Sequence, residues 1–123
     1  MAIQQDIGAL GEQYAAELLE QKSYRIVERN WRWRRAEIDI IAWDGDILVF
    51  VEVKARSYLQ HGRPEDAVTK TKMHLLSQAA GAYMRKINHE WEVRFDSIAV
   101  QLFRDDTYAI EHYEDIFFPG RFG

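Results

Sequence analysis

The sequence has 123 residues, 47% of them hydrophobic and 13% aromatic, a composition typical of a packed domain and not of a disordered chain. It contains no cysteine, which excludes disulfides and thiolate metal sites. Its net charge of −4 would disfavour nucleic-acid binding, but the charge is unevenly distributed. Residues 22–63 carry nine Lys and Arg against six Asp and Glu, so this segment is locally basic.

The first predicted element is a helix over about residues 4–22. Its larger apolar residues recur at the helical period and predict a buried stripe: Ile7, Leu10, Tyr14 and Leu18. Small residues (Gly8, Gly11, Ala15 and Ala16) add a surface on which another element can pack closely. A short strand near residues 24–28 follows, and then the stretch "ERNWRWRR".

The stretch "AEIDIIAWDGDILVFVEVKAR", residues 36–56, predicts a hairpin. Asp44-Gly45 is a strong two-residue turn signal, because a type I′ turn needs positive φ at both positions. That turn pairs Trp43 with Asp46 and makes Asp39 and Glu52 diagonal neighbours. One face then carries Glu37, Asp39, Glu52 and Lys54, and the other is apolar: Ile38, Ile40, Ala42, Val49, Val51 and Val53.

After a loop, Pro64 predicts the start of a second helix that runs to about Lys86, with a buried stripe at Val68, Leu75, Ala79 and Ala82. Two strands near residues 92–103 and 108–113 follow, joined by the turn "RDDT". Arg94 and Asp96 alternate onto one strand face and predict a structural ion pair. The order α-β-β-β-α-β-β predicts a single α/β domain, residues 1–123, with a mixed sheet flanked by helices.

The carboxylates of the hairpin predict a metal site. Opposed like charges destabilise a strand pair, and a hard divalent cation such as Mg²⁺ or Mn²⁺ would neutralise them. Asp39 and Glu52 are the candidate ligands, and Lys54 lies where its ammonium could orient a metal-bound water for attack on a phosphate. The alternative is an ordinary hairpin with a solvated charged face.

Several basic residues are candidate nucleic-acid contacts. "RNWRWRR" interleaves guanidinium groups, which bind phosphates, with indoles, which stack on bases. The alternative places the tryptophans in the core and the arginines at a solvated edge. The candidates are Arg32, Arg34 and Arg35 in this stretch, Arg56 at the end of the hairpin and Lys72 in the second helix.

Asp…Glu-x-Lys on adjacent strands resembles the restriction-endonuclease-like nuclease superfamily. More specifically, "IGALGEQYAAELLEQKSYRIVERNWR", "AEIDIIA", "FVEVKAR", "PEDAVTKTKMHLLSQAAGAY" and "VRFDSIAV" together resemble the YraN family of bacterial proteins over most of residues 7–103. The resemblance implies a restriction-endonuclease-like core, as in archaeal Holliday junction resolvases. It also implies that Glu12 joins Asp39 and Glu52 at the metal, that Lys72 matches a family lysine, and that Ala36 replaces a usual glycine.

The function expected from these features is metal-dependent hydrolysis of DNA phosphodiester bonds, with branched or structured DNA suggested by the resemblance alone. The alternative is a non-catalytic nucleic-acid-binding module with the same fold. A homodimer is plausible because resolvases cut paired strands. No basic and apolar leader or membrane-length apolar run is visible, so we expect a cytoplasmic protein without a membrane partner. The role of Glu37 is left open.

Overall fold

The computed structural model describes residues 3–58 and 70–117. Its elements are α1 (Ile3–Gln21), β1 (Arg25–Trp33), β2 (Ala36–Asp44), β3 (Ile47–Ser57), α2 (Lys70–Ile87), β4 (Val93–Leu102) and β5 (Tyr108–Phe117). This is the predicted order. Neither described helix is long and apolar enough to cross a membrane. The predicted start of α2 at Pro64, and Val68 of its stripe, lie outside the described residues.

The described strands form one mixed sheet in the order β1-β2-β3-β4-β5. β3 and β4 run parallel, whereas the other neighbouring strands are antiparallel. Parallel neighbours require a crossover connection, and α2 lies in the chain between these two strands. The mixed sheet with its two helices is consistent with the restriction-endonuclease-like core that the resemblance implies.

α1 packs on one face of the sheet through its small residues. A Cβ atom added to Gly11 would lie 2.5 Å from the Cβ of Ala55 on β3, so the helix backbone approaches the strand directly. Leu10, predicted to be buried, is 39% exposed. The predicted stripe is wrong at that position because close approach favours the small side of the helix. The buried α1 residues are Ile7, Ala15, Ala16 and Leu19.

The hairpin contributes to two hydrophobic clusters, one on each face of the sheet. Under α1 lie Ile40, Ala42, Val49 and Val51, and under α2 lie Ile38, Ile41, Leu48 and Phe50. Ile38 was predicted on the face now covered by α1, and that prediction is wrong. The change in alternation falls at Asp39, just beyond the last regular β2–β3 pair. The buried residues of α2 are Leu76, Ala79, Ala80 and Tyr83.

The hairpin turns at Gly45 and Asp46, one residue later than predicted. Asp44 pairs with Ile47 and Trp43 with Leu48, so the predicted pairing of Trp43 with Asp46 is wrong. Gly45 takes the left-handed conformation, with φ of 62°, which glycine adopts at little cost. Each β2 residue pairs with a β3 residue two positions later than predicted. Side chains along a strand alternate between the two faces of the sheet, so a shift of two leaves every paired residue on its predicted face.

The predicted ion pair between Arg94 and Asp96 is confirmed. Nε of Arg94 lies 2.9 Å from Oδ1 of Asp96, and Asp96 is fully buried, with 0% exposure. Nε2 of His112 lies 2.7 Å from the other carboxylate oxygen, and the backbone N–H of Asp115 donates to Oδ1 at 3.1 Å. Burial raises the pKa of Asp96, but the bonds from His112 and Arg94 outweigh burial and lower the pKa below its usual value.

Candidate active site

Asp39 and Glu52 lie on adjacent strands where the regular pairing of the hairpin ends. The ladder stops at Ile40–Val51, so Asp39 and Glu52 are the next residue on each strand beyond the last pair. Oδ2 of Asp39 accepts a hydrogen bond from the backbone N–H of Val53 at 2.7 Å. The two carboxylates therefore lie at the same end of the ladder, and a backbone donor holds one of them in position.

The environment of Asp39 disfavours its negative charge. Its pKa is raised from an ordinary value of 3.8 to about 6, chiefly by burial, although the Val53 N–H acts in the opposite direction. The negative charges of Glu12, Glu52 and Glu37 contribute to this rise. The other three predicted carboxylates therefore each lie within electrostatic reach of Asp39. A carboxyl group in this setting is stabilised either by a proton or by a cation.

One carboxylate oxygen of Glu52 contacts a lysine, and the other has no hydrogen-bond partner. Its side chain is 15% exposed, and Nζ of Lys72 on α2 contacts Oε2. The other oxygen, Oε1, is buried and has no hydrogen-bond partner. A buried carboxylate oxygen has lost its contact with water, and without a hydrogen-bond donor or a cation nothing compensates for that loss. Lys72, predicted as a nucleic-acid contact, is thus brought directly into the acidic site.

Glu12 reaches the site because α1 lies so close to β3. It follows Gly11, the position whose contact with Ala55 permits that approach. Glu12 is partly buried, and its charge is felt by Asp39. Its predicted place beside the sheet carboxylates is consistent with this geometry, and its role as a metal ligand stays a prediction.

Lys54 and Arg56 follow Glu52 along β3, each at a partly buried position. Both line a shallow groove of about 190 Å³, bounded by residues of β4 and β5: Ala99, Val100, Gln101, Ala109, Ile110 and Glu111. Successive alternate residues of one strand share a face. The sheet therefore places an ammonium and a guanidinium in one groove, on the strand that carries Glu52.

The stretch rich in arginine and tryptophan lies mainly in β1, which is longer than predicted. Trp31 and Trp33 are partly buried against the cluster under α2, with Trp31 edge-on to Tyr83 at 5.1 Å between ring centroids. These indoles therefore pack inward, which favours the alternative that places the tryptophans in the core. The arginines Arg29, Arg32, Arg34 and Arg35 are all exposed.

Two arginines of this stretch have contacts with neighbouring side chains. Nε of Arg32 lies 3.6 Å from Oε2 of Glu37, an exposed ion pair that gives Glu37 a partner at the rim of the site. The Arg34 guanidinium lies 4.5 Å from the centroid of a Trp33 ring. Ala36 is buried and pairs with Trp33 in the regular ladder, so the alanine at this position is accommodated in ordinary strand geometry.

The donor set fits a divalent cation that completes its coordination with other ligands. Within residues 3–58 and 70–117, no three His, Asp or Glu side chains converge closely enough to hold an ion by themselves. Mg²⁺ commonly takes only one or two protein carboxylates and keeps water or substrate phosphate as its other ligands. Asp39 and Glu52, with the partnerless Oε1 of Glu52, meet that smaller requirement.

Comparison with known proteins finds relatives over nearly the whole chain. The profile of "Uncharacterised protein family UPF0102" matches residues 11–100. A UPF0102 protein of Flavobacterium psychrophilum is 45% identical over 118 residues, covering 96% of this chain and 98% of the relative. A relative in Flavobacterium johnsoniae is 44% identical with the same coverage, and one in Chlorobaculum tepidum is 46% identical over 88% of this chain and 84% of its own.

Proposed function

The chain belongs to the uncharacterised protein family UPF0102, the YraN family of the sequence resemblance, and we propose that this member is a metal-dependent DNA endonuclease. The observation that carries the proposal is a partnerless, buried Glu52 oxygen close to Asp39, whose pKa is raised in part by the charge of Glu52. A divalent cation held by these two carboxylates would stabilise both groups.

In the proposed mechanism, Asp39 and Glu52 would hold the ion, and Glu12 of α1 is a further candidate ligand. Mg²⁺ or Mn²⁺, when bound, would polarise the phosphodiester and lower the pKa of a water molecule. Lys54 orients the attacking water and offsets charge that develops on the phosphate, since it follows Glu52 on the same strand face. Arg56, farther along the groove, binds a neighbouring phosphate of the substrate.

The other basic residues would position the nucleic acid. Arg32, Arg34 and Arg35 are exposed on β1 and the turn after it, where they can reach phosphates outside the groove. The preference for branched or structured DNA, and a homodimer that cuts two strands, rest on the similarity to Holliday junction resolvases. DNA as substrate would place this activity in the cytoplasm.

A cleavage assay tests the proposal. Duplex, flap and four-way-junction DNA are incubated with the protein and Mg²⁺ or Mn²⁺, and products are resolved on denaturing gels. Cleavage should require the metal and should be lost in Asp39→Asn, Glu52→Gln and Lys54→Ala. Glu12→Gln should lower cleavage more than Glu17→Gln, a matched change at an exposed position of the same helix. Metal-dependent cutting that survives in the Asp39 and Lys54 variants would come from a contaminant and would refute the assignment.

The alternative, a non-catalytic nucleic-acid-binding module, is favoured by one observation. The contact between Lys72 and Glu52 already gives the acidic pair a counter-ion from within the chain. In that case DNA binding depends on the exposed arginines and no substrate is cut. Binding in a gel-shift assay that falls in Arg34→Ala and is unchanged in Asp39→Asn, without cleavage of any substrate, would support the module over the enzyme.

A further inference from the structure

Trp91 is an exposed indole in the segment between α2 and β4. It is 73% exposed, well above Tyr113 at 48% and the other large hydrophobic side chains described as exposed. An indole in this position adds little to the stability of the fold, because most of its apolar surface remains in water. A single exposed apolar side chain is common on protein surfaces, so the significance of Trp91 lies in the cavity beside it.

Trp91 forms one wall of an open cavity of about 470 Å³ at the turn end of the hairpin. The cavity is lined by Trp43, Asp46, Ile47, His89, Trp91 and Glu92, and we name it the Trp43–Trp91 notch. The imidazole of His89 is held in place within the wall, because His89 is only 8% exposed and its Nε2 lies 3.1 Å from the carbonyl oxygen of Glu92. The His89 ring centroid is 5.1 Å from that of Trp43 and 5.4 Å from that of Trp91.

The acidic residues around the notch favour a positively charged ligand. Asp46 and Glu92, which line it, are exposed acidic residues, and Glu90 is an exposed acidic neighbour in the same segment. Carboxylates at the rim repel the phosphates of a nucleic acid and attract a cation. Indole faces add attraction for the same kind of group. The chain itself gives an example, since the Arg25 guanidinium lies 6.0 Å from the centroid of a Trp43 ring.

We propose that the Trp43–Trp91 notch binds an arginine or lysine side chain of a protein partner. The cation stacks on the exposed Trp91 indole, and Asp46 and Glu92 balance its charge. This site is independent of the proposed nuclease function, because Trp43 and Asp46 lie at the turn end of the hairpin and Asp39 and Glu52 lie where its pairing ends. A partner seated in the notch would leave the groove of Lys54 and Arg56 open to DNA.

NMR titration of the tryptophan indole N–H groups tests the proposal. The chain has four tryptophans, which are assigned by single Trp→Phe variants. The probe is the peptide acetyl-Gly-Arg-Arg-Gly-amide, and its control is the same peptide with citrulline, the neutral counterpart of arginine. The arginine peptide should shift the Trp43 and Trp91 indoles saturably, and the Trp31 and Trp33 indoles far less.

Variants identify the groups responsible. Trp91→Ala should weaken binding about tenfold, the size expected for loss of a partly desolvated cation–π contact. Asp46→Asn combined with Glu92→Gln should weaken it as well, and added salt should have the same effect. Tyr113→Ala, which removes an exposed aromatic ring on β5, should leave binding unchanged.

Three results would overturn the proposal. The citrulline peptide binding as tightly as the arginine peptide would show that charge is not recognised. Equal affinity in wild type and Trp91→Ala would show that the notch is not the site. An oligothymidine strand that shifts the Trp91 indole, while the peptide does not, would assign the notch to nucleic acid.

Discussion

The Nζ atom of Lys72, in the first described turn of α2, contacts Oε2 of Glu52 on β3. The lysine thus occupies one oxygen of a residue that the proposed mechanism assigns to the metal. An ammonium and the proposed divalent ion would compete for the same carboxylate, so this contact would lower the affinity of the proposed site for metal. Release of Lys72 by the metal would also free its charge for a substrate phosphate.

We therefore expect Lys72→Met to bind Mn²⁺ more tightly than the wild type, by about tenfold, the equivalent of roughly 1.4 kcal/mol for a partly buried ion pair. Isothermal titration calorimetry at pH 7.5 measures this directly. Lys70→Met, an exposed lysine of the same helix, is the matched control and should leave metal affinity unchanged. The same Lys72 variant should bind DNA more weakly. Equal Mn²⁺ affinity in all three proteins would contradict the competition.

The raised pKa of Asp39 predicts a pH-dependent effect of Asp39→Asn on stability. The folded state holds this proton up to about pH 6, against an ordinary pKa of 3.8, so the stability contributed by the group is complete below 3.8 and lost as pH rises through 6. An asparagine cannot ionise. At pH 8 in EDTA the variant should exceed the wild type by about 1–3 kcal/mol in unfolding free energy.

Urea unfolding at pH 4 and pH 8 makes the comparison. Near pH 4 the advantage of Asp39→Asn should largely disappear, because the folded wild type is then protonated. Asp46→Asn, at an exposed turn position, should show no such change between the two pH values. An advantage of the same size at both pH values would mean that ionisation is not its cause.

Two glycines of α1 offer a paired test of helix packing. Gly11→Ala brings a Cβ to 2.5 Å from Ala55, whereas a Cβ on Gly8 meets nothing within 4 Å. Gly11→Ala should lower the unfolding free energy by about 1–3 kcal/mol through overpacking. Gly8→Ala should raise it by about 0.5–1 kcal/mol through helix propensity. Thermal unfolding followed by circular dichroism distinguishes them, and two stabilised variants would show that α1 can move away from β3.

Asp96→Asn should be strongly destabilising, because it leaves the Arg94 guanidinium without its main counter-charge in the protein interior. Removing one partner of a buried ion pair costs about 3–5 kcal/mol. Asp106→Asn, in the exposed turn between β4 and β5, should change stability little, since asparagine also tolerates its positive φ of 69°. Chemical denaturation measures both, and similar midpoints for the two variants would contradict the structural role of Asp96.

The sequence predicted the shared face of the site better than its register. The Asp44-Gly45 signal placed the turn one residue early, and the pairing of the two strands was wrong by two residues. Side chains alternate with a period of two, so that error left the faces of the paired residues unchanged, but the turn signal did not predict the change in alternation at Asp39. A local turn signal therefore located the acidic pair without giving its contacts.

Other features depended on contacts between distant parts of the chain. The hydrophobic period of α1 favoured Leu10 for burial, but the helix presents Gly11 and its small neighbours because they permit the closer packing. The contact of Lys72 with Glu52 depends on how the crossover sets α2 against the sheet. No local pattern specifies that placement. Arg94 and Asp96, two residues apart on one strand, were predictable because their proximity is local.

The parallel pairing of β3 with β4 imposes an order on folding. The β2–β3 hairpin joins neighbours in the chain and can form within about 1–10 μs, as isolated hairpins do. β4 can join only after the connection that contains α2 has closed, a slower step because of its loop entropy. We therefore expect Asp39 and Glu52 to meet before Lys72 of α2 reaches them. Early in folding the acidic pair would lack the contact from α2, and the proposed metal site would then make the rate of folding depend on divalent ions in the refolding buffer.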